Sequence, residues 1–454
     1  MAEFDAPRFD DFVLTRMRET TLPSISALAV RDGRVVYSHA FGYRDAEAAL
    51  PPTERTLYGV GSITKTFTSL AVGKLVEEGK MDFHDPITKH LPLDEKVFGG
   101  IEVSHLLSHS SGIPGLGYGE VLIGSALGDF QGWLPVSTVE DMSAFMDHAD
   151  EWKTAQPGER LHYLNEGFFL LGEAVAQTSG VSFEKFLKEN VLKPMKMNRS
   201  FFSKAEMDAD PDRSVPYLIK DGRLVPSVFP YGCGAGGGLI TSASDLSHLV
   251  MTLLSDGEFE GRPVIDKRIL GEIEMPRVRW PVQRYGGDAY GYGMMITPNF
   301  FGRRVIGHGG DILVYTADLK CSPEAGVGSI VMANAAGYST STLNSFALTL
   351  LLEEDPEQLP ALKSESLLRK LEGTYKAYKG TISAQVKRAD SFLILSGYDI
   401  GQNIVLVPVE HDKNSATFYT LIAGARLDVK FTFGDSGVEL FYERYRYRMV
   451  GPPP

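Results

Sequence analysis

A chain of 454 residues is longer than one ordinary domain, so two or more domains are expected. Its 43% hydrophobic and 23% charged content is that of a globular chain able to bury a full core, and a net charge of -13 with no basic tract argues against nucleic acid as a partner. Two cysteines, Cys233 and Cys321, exclude a disulfide framework, leave one bridge open and favour reduced thiols in the cytosol. The first residues, Met-Ala-Glu-Phe-Asp-Ala-Pro, lack a basic segment followed by an apolar run, and no stretch is long enough to span a bilayer. A cytoplasmic protein without membrane contact is therefore expected.

Residues 10–19 read as a short amphipathic helix. Apolar runs at 25–30 and 35–41 flank Arg31-Asp-Gly-Arg34, and Asp-Gly between such runs predicts a hairpin. Tyr58-Gly-Val-Gly-Ser62-Ile-Thr-Lys65 then runs into apolar residues at Ile63, Phe67, Leu70, Ala71, Leu75 and Val76, the spacing of a helix that Gly79 would close. Ser62 falls at the N-terminus of that helix, with Lys65 one turn on and on the same face. A serine hydroxyl is a poor nucleophile until a base removes its proton. A lysine can do so if burial lowers its pKa, and the free N–H groups of a helix start can hold an oxyanion. Taken alone, the same pair also reads as an N-cap serine and a solvated lysine. Its partners must come from elsewhere in the chain.

Residues 103–112 predict a short helix ending at Gly112, with His105 and His109 at i,i+4. Such a pair can bind zinc, but Leu106 stands where a metalloprotease carries its glutamate, so packing is the expected role. The Gly-rich stretch 115–135 reads as a loop around a cleft. Ser137-Thr-Val-Glu140 reads as a capping box before 142–146. Pro157-Gly turns the chain into a short extended run, Leu161-His-Tyr163-Leu-Asn165, and Asn165 caps a helical pattern closed by Gly180. If that run is extended, Tyr163 and Asn165 point the same way. A plain cap and a core aromatic are the bland readings of the two. Gly232-Cys-Gly-Ala-Gly-Gly-Gly238 lacks the Gly-Lys-Ser/Thr of a phosphate loop and is expected to bring backbone close to the cleft. Residues 242–254 predict an amphipathic helix and 290–296 a strand.

Arg304-Val-Ile-Gly-His308-Gly309-Gly310-Asp311 predicts a strand over 305–308, a tight turn or close-approach point at Gly309-Gly310 and a next strand over 312–319. Another strand at 327–334 and a helix at 339–352 follow. Strands at both ends and helices between predict an antiparallel sheet whose edge the N-terminal hairpin completes. Residues 353–366, acidic and carrying Pro356 and Pro360, read as a linker. Beyond it the periodicity becomes two: Ile382, Ala384, Val386; Leu427, Val429, Phe431, Phe433; Tyr445, Tyr447, Met449. About eight short strands fit there, which means a small barrel or sandwich. The final Pro-Pro-Pro reads as frayed. The expected division is 1–360 and 361–454.

Three elements thus stand in order: Ser62-x-x-Lys65, Tyr163-x-Asn165 and His308-x-Gly310. Together they resemble the serine β-lactamase and penicillin-binding-protein superfamily, in the branch that holds class C β-lactamases, D-aminopeptidases and CubicO-type serine peptidases. Leu106-Leu-Ser-His-Ser-Ser-Gly112, Pro157-Gly-Glu159, Gly236-Gly-Gly-Leu239 and Ser244-Asp-Leu246 add to the resemblance, which covers residues 8 to 353. It implies an α+β fold: an antiparallel sheet flanked by helices, plus a helical region. It implies that Ser62 becomes acylated, that Lys65 is the base or keeps Tyr163 ionised so that Tyr163 is the base, and that Asn165 anchors a substrate amide. The N–H groups of Ser62 and Asp311, beside Gly309 and Gly310, would form the oxyanion hole, each worth about 3 kcal/mol. No metal or cofactor is implied. One departure matters. His308 stands where β-lactamases carry a lysine, and a histidine with a pKa of about 6.5 is largely neutral at pH 7, which weakens recognition of a free carboxylate.

Glu372-Gly-Thr-Tyr375 and the strands after it are similar to a lipocalin-like barrel, as in self-compartmentalising archaeal CubicO-type peptidases. That resemblance implies assembly into a homo-oligomer and restricted access to the site. The expected function is a serine peptidase acting on small peptide or amide substrates, possibly D-stereoselective. The alternatives are a carboxylesterase or weak β-lactamase, and a catalytically silent protein that binds a small ligand.

Overall fold

The computed structural model describes residues 3–128, 136–397, 403–435 and 437–452, and the chain forms two compact units, Met1–Glu354 and Asp355–Pro454. The first is built on an eight-stranded sheet in which every neighbouring pair is antiparallel. Its order is Arg34–Gly42, Ser24–Arg31, Val327–Ala333, Thr316–Ser322, Arg303–Asp311, Met295–Phe300, Ala289–Tyr290 and Val278–Arg279. The N-terminal hairpin forms one edge, as the sequence predicts. Its turn places Asp32 and Gly33 at φ 50° and 70°, the left-handed pair a two-residue hairpin loop requires. Ile25 lies opposite Ala333, so strands from the two ends of the unit pair side by side in the sheet.

Ser24–Arg31 and Val327–Ala333 are buried almost throughout, because helices cover both faces. Successive strand residues point to opposite faces. A Cβ on Gly328 would meet Val250 of the Ala243–Leu254 helix, whereas Ser329 Oγ donates to Asn344 O of the Thr340–Leu351 helix. Those two helices therefore sit on opposite sides.

The Thr64–Glu77 helix is not a surface helix with one apolar stripe. Ten consecutive residues, Thr64 to Gly73, are buried. Small polar side chains on different sides of it bond backbone: Thr66 Oγ1 donates to Gly293 O (2.8 Å) and Thr68 Oγ1 to Ala235 O (2.7 Å). Small residues let backbone approach where an ordinary side chain would keep it away.

Several boundaries differ from expectation. The first helix begins at Ala6, because Asp5 accepts from Arg8 N–H and Pro7 occupies the first turn. The capping box uses Thr138 and Asp141, one residue on from the predicted pair. Residues 290–296 are not one strand: Gly293 at φ 63° turns the chain between Ala289–Tyr290 and Met295–Phe300. The strand through His308 runs on to Asp311, so Gly309-Gly310 is a close-approach point and not a turn, and the next strand starts only at Thr316. Within 232–238 the chain forms a short helix, Gly234–Gly237. Of the stretch 115–135, residues 129–135 lie outside the described residues, as do the last two prolines. Tyr118–Ala126 is helix rather than loop.

In the second unit the expected linker is largely helix, Pro360–Leu371. Pro360 begins it, and Leu362, Leu368 and Leu371 are buried. Eight strands from Gly373–Lys376 to Tyr445–Gly451 then form a closed antiparallel barrel in sequence order, with Tyr375 opposite Met449 closing first strand onto last. Inward positions carry Val386, Leu395, Phe418, Phe431, Leu440 and Tyr447, all fully buried, so the interior is occupied by the barrel's own side chains.

Candidate active site

Tyr58–Gly59 pairs with Ile240–Thr241 and delivers the chain to a tight turn, Gly61–Ile63, from which the Thr64–Glu77 helix continues. Ser62 lies in that turn and Lys65 in the first helical turn. Lys65 Nζ is 2.9 Å from Ser62 Oγ, 2.9 Å from Asn165 Oδ1 and 2.7 Å from the Gly236 carbonyl. It lies over the Tyr163 ring, 4.8 Å from the centroid. Lys65 is fully buried, and that desolvation brings its pKa down from 10.5 to about 7, although Glu120 and Glu166 pull it back upward.

Asn165 is the first residue of the Asn165–Ser179 helix, and its side chain does not cap it. The amide instead reaches into the cleft, where its NH2 group lies 3.5 Å from Glu120 Oε1. Tyr163 lies two residues before it, its ring edge to face with that of Tyr290 at 6.2 Å between centroids, and burial holds its phenol well above the usual range.

The Arg303–Asp311 strand passes the Ser62 turn with no room to spare. A Cβ on Gly310 would sit 1.9 Å from Val60 O and 3.1 Å from Ser62 N, and one on Gly61 would sit 2.9 Å from Asp311 N. The N–H groups of Ser62 and Asp311 are thereby neighbours. Ile312 N–H donates to Tyr315 O (3.1 Å), so by antiparallel alternation Asp311, opposite Thr316, falls in a non-hydrogen-bonded pair and its N–H turns outward. The Asp311 carboxylate accepts from Leu313 N–H (2.7 Å).

His308 is arranged differently. It is buried and lines not the Ser62 cavity but a smaller one of about 130 Å³ that also contains Gly309. Its Nε2 is 2.7 Å from Tyr290 Oη and its Nδ1 is 2.5 Å from Gly309 O. Burial, with the Lys65 charge nearby, pushes its pKa down to about 3, so the ring is neutral. Its centroid lies 6.4 Å from that of Tyr163.

The Ser62 cavity has a volume of about 560 Å³, with Leu122, Ile123, Phe169 and Ile312 among its walls. Two carboxylates, Glu120 and Asp311, line it, and no lysine or arginine does among the described residues.

Two contributors are not evident in the sequence. Tyr290 reads there only as a strand residue, and the Gly236 carbonyl is invisible as a residue type. His109, for which the spacing predicts packing, does stack on Tyr163 at 3.9 Å between centroids. It sits past the helix at φ 56°, so it shares no helix face with His105. The strained backbone was the structural signal the spacing concealed. Among the described residues no cluster of three or more His, Cys, Asp or Glu is placed to hold a metal ion.

The beta-lactamase family model matches residues 9–352, and the chain belongs to that family. Residues 356–448 match the family described as the Pab87 octamerisation domain. The octameric penicillin-binding protein homologue from Pyrococcus abyssi is similar at 40% identity and a TM-score of 0.91, over 98% of this chain and 99% of that one. A D-stereospecific amidohydrolase from Streptomyces sp. shares the fold at 24% identity and a TM-score of 0.63, over 75% of this chain and 97% of that one. Protein flp of Staphylococcus aureus strain N315 is 24% identical over 375 residues, 81% of this chain and 69% of that protein. Among the described residues no helix is long and apolar enough to cross a membrane.

Proposed function

We propose that this member of the beta-lactamase family is a peptidase that opens small peptide amide bonds through an acyl-enzyme on Ser62. The observation that carries this reading is the buried Lys65 amine, 2.9 Å from Ser62 Oγ, with a pKa brought down to about 7. A neutral amine has two N–H bonds and one lone pair. The two N–H bonds are taken by Asn165 Oδ1 and Gly236 O, which leaves the lone pair for the serine proton. Lys65 is therefore the acylation base in this reading. Tyr163, held protonated by burial, passes a proton to the leaving nitrogen and then activates the deacylating water. The Ser62 and Asp311 N–H groups receive the oxyanion, and Asn165 orients the substrate amide.

The cavity's charge supports a substrate class. With Glu120 and Asp311 on its walls and a neutral His308 behind, it suits a ligand with a free ammonium and offers a carboxylate no fixed cation. That favours a D-aminopeptidase-like substrate, with a free amino end, over a carboxypeptidase or β-lactam substrate. The same activated hydroxyl in an apolar cavity also suits small acyl esters, so carboxylesterase activity is the second reading.

A fluorophosphonate probe tests the chemistry: intact protein gains one adduct mass and Ser62→Ala gains none. Equal behaviour of the two proteins rejects the acyl-enzyme and leaves a small-ligand binding protein. Rates on D- and L-aminoacyl amides, N-acetylated amides, nitrophenyl esters and nitrocefin then choose the substrate, and turnover fastest on nitrocefin refutes the preference for a free amine. The C-terminal barrel is read as an assembly module forming a cytoplasmic homo-octamer, on the strength of its family match and the octameric homologue. Light scattering that returns a monomer mass rejects that part.

A further inference from the structure

In the proposed reaction Tyr163 must hold its phenol at the wall of the Ser62 cavity, yet it stands in no helix or strand, between a turn and the Asn165–Ser179 helix. Much of what fixes its segment comes from one residue, His109. The His109 carbonyl accepts from His162 N–H (2.7 Å), and its Nδ1 accepts from Leu164 N–H (2.9 Å). Successive N–H groups of an extended run alternate sides, so those of residues 162 and 164 face the same way. His109 therefore grips the chain on either side of Tyr163. Between the two grips its imidazole lies against the Tyr163 ring, with centroids 3.9 Å apart and planes 32° apart.

The arrangement is costly, and two of its costs fall on His109. It stands just past the Val103–Leu107 helix at φ 56°, the left-handed region that a residue with a Cβ seldom adopts. With that turn, carbonyl and ring both reach the 162–164 run. Because Nδ1 accepts, the proton of the neutral ring is on Nε2, and that buried atom has no hydrogen-bond partner among the described residues. Burial, with Lys65 and His308 nearby, holds the pKa of the ring well below 6.5, which keeps Nδ1 an acceptor. Backbone strain and an unpaired buried donor persist only where the surrounding structure over-determines them, and such residues cluster at functional sites.

We propose that His109 is a positioning residue for Tyr163: its carbonyl and its Nδ1 clamp residues 162 and 164, so that the phenol between them stays where it serves the leaving nitrogen and the deacylating water. His109 is not among the residues that line the Ser62 cavity, so it acts through Tyr163 and not on substrate. The histidine four residues before it, His105, has no such part: its Nδ1 accepts from Glu102 N–H (3.0 Å) at the start of its own helix.

The inference rests on the serine-hydrolase reading, which the Ser62 adduct reports independently. Its test compares two leaving groups. A nitrophenyl ester releases a stable anion that needs no proton, so its acylation burst bypasses Tyr163, whereas an amide nitrogen must be protonated to leave. In His109→Leu the burst rate is expected within about threefold of wild type. Amide turnover, and the steady-state rate after the burst that reports deacylation, fall about 10- to 100-fold. A general loosening of the site would slow the burst as well. Tyr163→Phe gives the same pattern, and His109→Leu adds no further loss in that background, since the two act in series. His109→Asn recovers most of the loss, because asparagine tolerates the left-handed region and carries an acceptor, Oδ1, as many bonds from Cβ as Nδ1 is. An unaltered His109→Leu, a burst slowed as much as amide turnover, losses that multiply, or an asparagine variant no faster than the leucine one overturns the proposal. If His109→Leu does not fold, nitrogen NMR of the intact wild type decides. His109 bare on Nδ1 and protonated on Nε2 upholds the clamp, and a proton on Nδ1 refutes it.

Discussion

The low pKa of Lys65 can be moved on purpose. Its drop from 10.5 to about 7 is 3.5 units, or about 5 kcal/mol at about 1.36 kcal/mol per unit, and burial is the first cause. At pH 7 that raises the neutral fraction of the amine about a thousandfold over a solvated lysine. Cys233 lines the Ser62 cavity next to the Gly236 carbonyl that Lys65 holds, and its thiol is itself pushed up to about 12, so it carries no charge at pH 7. Cys233→Asp puts a carboxylate there. An opposite charge within about 4–6 Å raises such a pKa by about 1–3 units. The neutral fraction at pH 7 then falls from about one half to between about a tenth and a thousandth, recovering at higher pH. The assay is the acylation rate constant from pH 5 to 10, with Cys233→Asn as the neutral control of the same size. The expected result is an acid limb displaced from about 7 to between about 8 and 10 with the plateau kept, and no displacement in Cys233→Asn. An unmoved limb with a lowered plateau would mean that Lys65 is not the base, or that burial does not set its pKa.

Other outcomes follow from particular contacts. Gly310→Ala drives a Cβ to within 1.9 Å of the Val60 carbonyl, so acylation is expected to fall at least about a hundredfold as the strand backs away from Ser62; activity beside a melting curve checks it. Gly293→Ala, at φ 63° and with its Cβ 2.6 Å from Lys65 O, is expected to lower stability by about 2–4 kcal/mol in urea titration. The pH profile of the wild type should show an acid limb near 7 and none near 6.5 that disappears in His308→Asn, because burial already keeps His308 neutral. Phe431→Ala removes a fully buried ring that packs against Tyr375 and Phe418 inside the barrel, and should cost about 3–5 kcal/mol, read as a lowered melting temperature.

Much of this molecule is local, and what is local can be read from sequence. Asp32-Gly33 specifies a left-handed two-residue turn wherever it stands between apolar runs, so the hairpin was legible. Ser62 and Lys65 are one helical turn apart, and that spacing needs no tertiary knowledge. Alternation in the last ninety or so residues has a period of two, which a helix cannot use, so the barrel's strands were legible as well. The linker was misread because Pro360 looks like a breaker, whereas proline at the first turn of a helix lacks only an N–H that would have had no partner.

What the linear order could not contain are distances between residues far apart along it. The Lys65 amine suits the proposed role of base because the Gly236 carbonyl and the Asn165 amide oxygen accept its N–H bonds and because it is buried away from water. None of those is a property of the lysine or its neighbours in sequence. The same holds for His308. Its residue type suggests a group that titrates near neutrality and faces a ligand, but the Gly309 carbonyl and Tyr290 bind its two nitrogens, and burial removes its charge. Periodicity and turn chemistry depend on a few adjacent bonds, so residue order alone determines them. Desolvation and proton direction depend on the sum of everything packed around an atom, and only the folded chain supplies that sum.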